Sequence, residues 1–166
     1  MGTLWIVGMM GSGKTTVAGL VAAALGRPLV DTDETVVAAT GRSIPDWFSA
    51  DLDGFREAER AAVMAAAGRA VVVACGGGAV LDEGSVAAMR RSGLVVWLDV
   101  PVAALTERVG SGSGRPLLGE DPAHDLERIR TARLAAYRAA AHVTVPGTGG
   151  PGEMAEAVIA AWKISS

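Results

Sequence analysis

The segment GMMGSGKT at residues 8–15 decides how this 166-residue chain folds. It fits the pattern G-x-x-x-x-G-K-[ST], in which glycines let successive backbone N–H groups curl around a phosphate group. An apolar run at residues 3–7 precedes the segment, and an Ala- and Val-rich helical pattern at residues 14–25 follows it and ends before Gly26 and Pro28. This order predicts a strand, a phosphate-binding loop and a helix whose N-terminus faces the bound anion.

The residues of this loop indicate a nucleoside triphosphate as the ligand. Lys14 is expected to reach the β- and γ-phosphates, and the Thr15 hydroxyl is expected to ligate Mg²⁺. The alternative is a glycine-rich turn that binds nothing, and the strand and helix on either side argue against it. The motif does not identify the molecule that accepts the phosphoryl group. The residues expected to contact the nucleotide here are Gly11, Ser12, Gly13, Lys14, Thr15 and Thr16.

Short apolar runs alternate with Ala-rich helical segments along the rest of the chain, a pattern typical of βαβ units around a parallel sheet. A loop at residues 110–122 separates two helical patterns, and its length and its Gly, Ser and Pro residues predict a lid. We expect the glycines and serines of this lid to lack the apolar contacts that would hold it down. The whole chain, residues 1–166, is expected to form one domain. Further strands are predicted at 29–30, 70–74, 94–98 and 142–145, and further helices at 52–67, 102–109, 124–141 and 152–162.

Composition narrows the class of protein. Half of the residues are hydrophobic and few are aromatic, which predicts an aliphatic core. The net charge of −3 without a basic block argues against nucleic acid or an anionic membrane surface as a partner. Cys75 is the only cysteine, which excludes an internal disulfide. Because no basic segment precedes the first apolar run and no heptad pattern is present, we expect a cytoplasmic monomer.

Two segments carry acidic or basic side chains that an acceptor site would need. Asp31 and Asp33 directly follow the second predicted strand, and carboxylates at the carboxyl ends of parallel strands point into the ligand crevice. Taken alone, they are equally well explained as a helix N-cap. Arg56 lies in a helical pattern near Glu59, where a solvated charge pair is the simpler interpretation.

Two more segments have the flexibility or charge of a binding site. Three consecutive glycines at residues 76–78 follow the buried strand at 70–74, which allows a close approach of backbone to a ligand or forms a flexible turn. The sequence RPLL at 115–118 lies in the predicted lid, and Arg133 and Tyr137 follow on a helix. Each arginine, taken singly, is more typical of a surface than of a site.

Together and in this order, these segments resemble the shikimate kinase family. The resemblance covers residues 4–145 and implies an α/β fold of the P-loop NTPase type, with a five-stranded parallel sheet flanked by helices. That fold is nucleoside-monophosphate-kinase-like and has a lid. The resemblance also implies Mg²⁺-assisted transfer of phosphate from ATP to the ring 3-hydroxyl of shikimate. It rests on the loop at 8–15, DTD at 31–33, GFREAE at 54–59, the glycines at 76–78, RPLL at 115–118 and the Arg and Tyr of 133–137.

The same resemblance implies roles for side chains. Asp31 would hold Mg²⁺ through water, and Trp47 and Phe55 would form an apolar wall within an acceptor-binding helical region at about 33–60. The catalytic residues would be Lys14, Asp33 and Arg115. Arg108 and Arg115 would contact the nucleotide, and the acceptor would be held by Asp33, Arg56, Gly76, Gly77, Gly78 and Arg133.

One departure and three alternatives accompany this interpretation. Cys75 stands before the glycine triplet, where many relatives would have Ser or Thr. A kinase of the same fold acting on gluconate or another shikimate-like polyol acid also needs hydroxyl- and carboxylate-binding groups. A nucleotide-binding regulatory module would have lost Lys14, Asp33 or Arg115, and all three are present. A nucleoside monophosphate kinase would need more base-reading groups and a longer lid.

Overall fold

The computed structural model describes residues 2–166, which form one parallel sheet and the helices that cover it. The strands are β1 (Thr3–Val7), β2 (Leu29–Asp31), β3 (Val72–Ala74), β4 (Gly93–Asp99) and β5 (Val143–Pro146). The helices are α1 (Lys14–Leu25), α2 (Thr32–Thr40), α3 (Ile44–Ala50), α4 (Leu52–Ala66), α5 (Glu83–Ser92), α6 (Val102–Val109), α7 (Pro122–Ala140) and α8 (Pro151–Ser165), with a 3₁₀ turn at Ala79–Leu81. Every strand pair is parallel in the order β2-β3-β1-β4-β5, so the expected five-stranded α/β fold is confirmed.

The centre of the sheet is built from strands that are apolar on both faces. All residues of β1 and β3 are buried, as expected for strands covered by helices on both sides. The edge strands are more exposed: Leu29 of β2 is 42% exposed, and Thr144 and Pro146 of β5 face solvent. Pro146 lacks a backbone donor and is tolerated there because an edge strand leaves one row of its backbone groups unpaired.

Two groups of helices cover the sheet: α1 packs against α8, and α5 packs against α4 and α7. Right-handed crossovers place these groups on opposite faces, because the chain moves from β1 to the edge strand β2 in one direction and then returns through β3 and β4 to β5. Within residues 2–166, no helix has the length and apolar character that a membrane span requires.

A second, smaller hydrophobic cluster lies outside the main core and joins the helices between β2 and β3. Val36, Phe55 and Ala62 form its buried centre, and the Phe48 and Phe55 rings are tilted against each other at a centroid distance of 4.9 Å. This cluster ties α2, α3 and α4 together as a unit beside the sheet.

Most predicted elements are present with bounds shifted by one to three residues, but helices α2, α3 and α5 had no predicted bounds; α2 and α3 lie in the helical region at about 33–60 that the resemblance implied, and α5 was missed. Helix α5 begins at the N-cap Asp82, whose side chain accepts a hydrogen bond from Ser85 N–H. Strand β3 begins at Val72 rather than residue 70, because the backbone N–H of Val71 turns back to donate to Arg69 O. Between α6 and α7, residues 110–121 contain neither helix nor strand, and Pro122 is the first residue of α7.

Candidate active site

Two neighbouring cavities open beside the residues that follow β1, β2 and β3. The first has a volume of about 370 Å³ and is lined by the loop after β1; we call it the donor cavity. The second has a volume of about 250 Å³ and is lined by residues of α3, α4, α7 and the segment 110–121; we call it the acceptor cavity. A group that passes between ligands in the two cavities would pass the residues that line both, which are Met10, Asp33, Gly77 and Arg115.

The loop of the donor cavity has the geometry of a phosphate cradle. Gly11 and Gly13 have φ angles of 75° and 83°, a region in which a side chain would be strained. No side chain caps the N-terminus of α1, so its first backbone N–H groups can donate to an anion. Lys14 Nζ donates to Met9 O at 2.8 Å, and burial lowers the pKa of Lys14 to about 8. A phosphate beside this buried amine would favour its charged form.

Asp31 has two functions at once, because its two carboxylate oxygens have different partners. Oδ1 accepts hydrogen bonds from the backbone N–H groups of Asp33 and Glu34 and thereby caps α2. Oδ2 accepts a hydrogen bond from the Thr15 hydroxyl at 3.0 Å. The helix-cap and metal-site interpretations of Asp31 are therefore compatible, since the cap uses only one oxygen.

The oxygens of Thr15 and Asp31 fit the chemistry of Mg²⁺. This ion prefers oxygen ligands and is usually held by one or two carboxylates together with substrate phosphates and water. Within residues 2–166 there is no cluster of three His, Cys, Asp or Glu side chains that could hold a metal ion without such help. The pair therefore suits a cation that arrives with a nucleotide.

The first glycine of the triplet is close to two carboxylates. A side-chain carbon at Gly76 would lie 2.7 Å from both Asp33 Oδ1 and Glu59 Oε2, so any larger residue would have to displace these carboxylates. Gly76 N–H donates to the Thr32 hydroxyl at 2.8 Å, and Thr32 is completely buried. Burial, followed by the neighbouring Asp31, raises the pKa of Asp33. Sequence reasoning missed Thr32, because its partner is 44 residues away.

The other two glycines lie against arginines. A side-chain carbon at Gly77 would be 3.3 Å from Arg133 Nη1, and one at Gly78 would overlap the guanidinium of Arg56. The Tyr137 hydroxyl donates to Gly77 O at 2.6 Å, and burial raises the pKa of Tyr137 to about 12. The triplet is thus explained by close approach to side chains, and Tyr137 remains a neutral donor that fixes it.

Arg56 and Glu59 form a partly buried pair in the acceptor cavity. Arg56 Nη1 lies 2.8 Å from Glu59 Oε1, and Glu59 is only 3% exposed. Glu59 Oε2 has no hydrogen-bond partner among the described residues, and burial raises the pKa of this carboxyl although Arg56 lowers it. Glu59 therefore holds the guanidinium of Arg56 in place.

The apolar wall of the acceptor cavity differs from the expected one. Phe55 lines the cavity together with Phe48 and Ile44, whereas Trp47 does not. Arg42 covers the Trp47 ring at 3.9 Å from its centroid, and the indole N–H donates to the Thr40 hydroxyl. Adjacent residues of a helix point about 100° apart, so only one of the two aromatic residues of α3 can face the cavity.

The segment at residues 110–121 is anchored more firmly than expected at its second half. Leu117 and Leu118 are half-buried and pack against the main core. Gly119 N–H donates to Asp125 Oδ2 of α7. The expectation that this segment lacks apolar contacts is therefore wrong for Leu117 and Leu118 and applies only to the residues before Pro116.

The remaining predicted residues are distributed between the two cavities. Arg108 and Thr16 line the donor cavity, and Arg108 Nη1 donates to Gly11 O at 3.3 Å. Arg133 is 7% exposed and lines the acceptor cavity, whereas Gly76 lines the donor cavity rather than the acceptor cavity. Ser12 is fully buried and lines neither cavity, so its contact with the nucleotide stays a prediction.

A phosphate cradle beside a second cavity that contains arginines and a carboxylate defines a P-loop phosphotransferase with a small anionic acceptor. The chain belongs to the shikimate kinase family, whose family model matches residues 10–163. It is 48% identical to the shikimate kinase of Symbiobacterium thermophilum over an alignment 146 residues long that covers 84% of this chain and 83% of that protein.

Solved structures show the same relationship. The shikimate kinase of Acinetobacter baumannii in complex with shikimate superposes with a TM-score of 0.91 and is 33% identical, over 96% of this chain and 91% of that one. The shikimate kinase of Aquifex aeolicus has a TM-score of 0.83 and 28% identity over 97% of this chain and 96% of its own. The family membership expected from the sequence is confirmed.

Proposed function

We propose that this chain transfers the γ-phosphoryl group of ATP to the ring 3-hydroxyl of shikimate. The observation that carries the proposal is the contact between the donor and acceptor cavities at Asp33, Gly77 and Arg115. A nucleotide in the first cavity and an acceptor in the second would bring the γ-phosphorus and a hydroxyl oxygen together at these residues. The relatives named above, one of them with shikimate bound, support shikimate as the acceptor.

The acceptor cavity offers groups that match a carboxylated ring with hydroxyls. Arg56 and Arg133 supply guanidinium groups, which bind carboxylates through paired charge-assisted hydrogen bonds. Asp33 supplies an acceptor for a ring hydroxyl, and Phe48 and Phe55 offer an apolar surface to the ring. Glu59 keeps Arg56 oriented, which lowers the entropy cost of binding.

In the reaction, the acceptor hydroxyl oxygen forms a bond to the γ-phosphorus while the bond to the β,γ-bridging oxygen breaks and ADP leaves. Asp33 holds the hydroxyl in line and takes its proton. Lys14 and Arg115 stabilise the charge on the phosphoryl group, which passes through a loose transition state. Thr15 and Asp31 would hold Mg²⁺, which neutralises phosphate charge when it is bound with the nucleotide.

Exclusion of water decides whether the γ-phosphoryl group of ATP is transferred to the acceptor or lost by hydrolysis. Arg115, Pro116 and Leu117 line the acceptor cavity from the segment at residues 110–121. Closure of this segment over both ligands would exclude water, which otherwise competes with the hydroxyl for the phosphoryl group. The segment thus serves as the lid in this proposal.

Single-domain organisation, a monomeric state and a cytoplasmic location complete the proposal. Both cavities are assembled from one chain, so a second copy is not needed for the chemistry. The cytoplasm supplies ATP and Mg²⁺ together. Light scattering of the purified protein tests the monomer, and a mass corresponding to two chains would contradict it.

The proposed function is tested by ADP release with ATP and Mg²⁺ against shikimate, quinate, gluconate and nucleoside monophosphates. Shikimate is expected to give the highest kcat/KM, and phosphorus–proton correlation NMR of the product should place phosphate on the 3-hydroxyl. Higher kcat/KM with gluconate, or phosphate on another hydroxyl, would contradict the proposal.

A further inference from the structure

Thr32 lies between the two aspartates, and its side chain makes a contact that neither of them makes. It is the first residue of α2 and completely buried. Its hydroxyl accepts the backbone N–H of Gly76 at 2.8 Å. Asp31 therefore bonds to Thr15 of the loop, whereas Thr32 and Asp33 both lie against Gly76, Thr32 through a hydrogen bond and Asp33 through close approach.

The hydroxyl of Thr32 continues the sheet beyond the point where its backbone can. The ladder between β2 and β3 ends with the pair Asp31 and Ala74, because the chain turns into α2 directly afterwards. Cys75 N–H still bonds to Ile6 O of β1, but Gly76 N–H has no strand to bond to. The Thr32 side chain replaces the missing carbonyl and so fixes the start of the glycine triplet.

The position of the triplet determines the position of the groups around it. Gly76 lies between the carboxylates of Asp33 and Glu59, and the next two glycines lie against Arg133 and Arg56. A shift of the backbone at Gly76 would move it into these side chains or away from them. Misplacement of reacting groups by about 1 Å can cost on the order of 10²-fold in rate.

We infer that Thr32 is a positioning residue for the acceptor, acting through its hydrogen bond to Gly76 rather than by contact with a substrate. The inference rests on the proposed function and adds to it a residue that lines neither cavity. Loss of the hydroxyl leaves a buried N–H without a partner, which favours a rearrangement of the triplet.

The experiment compares three variants by steady-state kinetics and thermal unfolding. Thr32→Val keeps the branched shape and removes the hydroxyl, and Thr32→Ser keeps the hydroxyl and removes a buried methyl group. Thr3→Val is the matched structural control, because Thr3 is also completely buried and its hydroxyl donates to Arg69 O at 2.8 Å, at the end of β1 remote from the loop.

A positioning role predicts a distinctive pattern of results. Thr32→Val should raise the KM for shikimate at least about tenfold and lower kcat, with the KM for ATP changed less than about threefold. Thr32→Ser should retain wild-type values of both KM constants even if its Tm falls. Thr3→Val should lower Tm and leave both KM constants unchanged.

Two outcomes would overturn the inference. Wild-type kinetics for a folded Thr32→Val variant would show that the hydroxyl does not position the acceptor. Equal kinetic losses in Thr32→Val and Thr3→Val would show that general destabilisation accounts for the effect. These comparisons are made only if the wild-type protein phosphorylates shikimate. A wild-type protein without this activity would contradict the proposed function itself, which is a separate result.

Discussion

The donor and acceptor cavities are neighbours built in opposite ways. The donor cavity takes its longest contiguous stretch of lining residues from the loop after β1, and in the proposed function its contacts to phosphate would come from backbone N–H groups, Lys14 and Thr15. The acceptor cavity is assembled from side chains of α3, α4, α7 and the lid, which are far apart in sequence. A group common to many ligands, such as a phosphate, can thus be bound by local backbone geometry, whereas a particular acceptor requires side chains that converge from several elements.

The two cavities also differ in how their charged groups are supported. Lys14 Nζ donates to the Met9 carbonyl at 2.8 Å and, in the proposed function, would also contact a phosphate. Arg56 is already paired with Glu59, and Arg133 lies against Gly77. The acceptor side is therefore preorganised by its own residues, and the donor side is completed by its ligand.

Loss of the donor-side amine should have the largest effect. Lys14→Met keeps the apolar part of the side chain and removes the charge that stabilises the transferring phosphoryl group. We expect kcat to fall by about 10³-fold or more, by analogy with the loss of a key transition-state donor. The Tm of the variant should be unchanged or higher than that of the wild type, since burial disfavours the charged amine in the free protein. Activity within tenfold of wild type would contradict the assignment of the loop.

The two aspartates should separate the metal role from the acceptor role. Asp31→Asn retains an oxygen that can cap α2, because Asn and Asp are comparable N-caps, but loses the charge beside Thr15. Its activity should recover partly at high Mg²⁺. Asp33→Asn should lower kcat by about 10²-fold without rescue, within the range of general-base effects.

The measurement is kcat against Mg²⁺ concentration for both variants at saturating shikimate. Rescue of Asp33→Asn but not of Asp31→Asn would show that the roles are reversed. Near-wild-type rates for both would leave the aspartates with only a structural role.

Replacement of the Arg56 guanidinium in the acceptor cavity should have a smaller effect on activity than the aspartate variants, and one limited to the acceptor. Arg56→Lys keeps the charge and loses the bidentate geometry. The kcat/KM for shikimate should therefore fall roughly 30-fold, which corresponds to a loss of about 2 kcal/mol of transition-state stabilisation. The KM for ATP should stay constant. Arg60→Lys is the matched control, one helical turn further on, where the side chain is 53% exposed and pairs with Asp82 outside both cavities. A change in the KM for ATP alone would assign Arg56 to the donor side.

The lid should respond to ligands without any mutation. Residues 110–115 contribute no apolar side chain to the core, whereas Leu117 and Leu118 are anchored in it. Hydrogen exchange of the free protein should therefore be fast before Pro116 and slower after it, with both parts protected when shikimate and a non-hydrolysable ATP analogue are bound. Strong protection of residues 110–115 in the free protein would argue against a mobile lid.

Local signals predicted most of the fold and the donor side. The bounds of β1 and α1 agree with those predicted, because their apolar pattern and the glycine loop lie within one contiguous stretch. Helix α5 was missed although Asp82 caps it, since Gly84 and Ser85 directly after the cap are weak helix formers.

The acceptor side was predictable only through the resemblance, for a physical reason. The Thr32 hydroxyl and Gly76 N–H meet across 44 residues, and no periodicity reveals such a pair. The wrong prediction of Trp47, where the structure has Phe48 in the wall of the acceptor cavity, also results from contacts that the local sequence does not reveal. Which of two adjacent aromatic residues faces a cavity depends on how α3 packs, and that is set by the small cluster around Phe55.

The most direct test is a competition in one vessel, with equal concentrations of shikimate, quinate and gluconate, ATP, Mg²⁺ and a catalytic amount of protein. Mass spectrometry of the early products measures the ratio of kcat/KM values free of differences between separate assays. We expect shikimate phosphate in excess of the other two products by about 10²-fold or more, since a site built to hydrogen-bond a particular substrate rejects poorer matches strongly. Comparable amounts of the three phosphates, or an excess of gluconate phosphate, would contradict it.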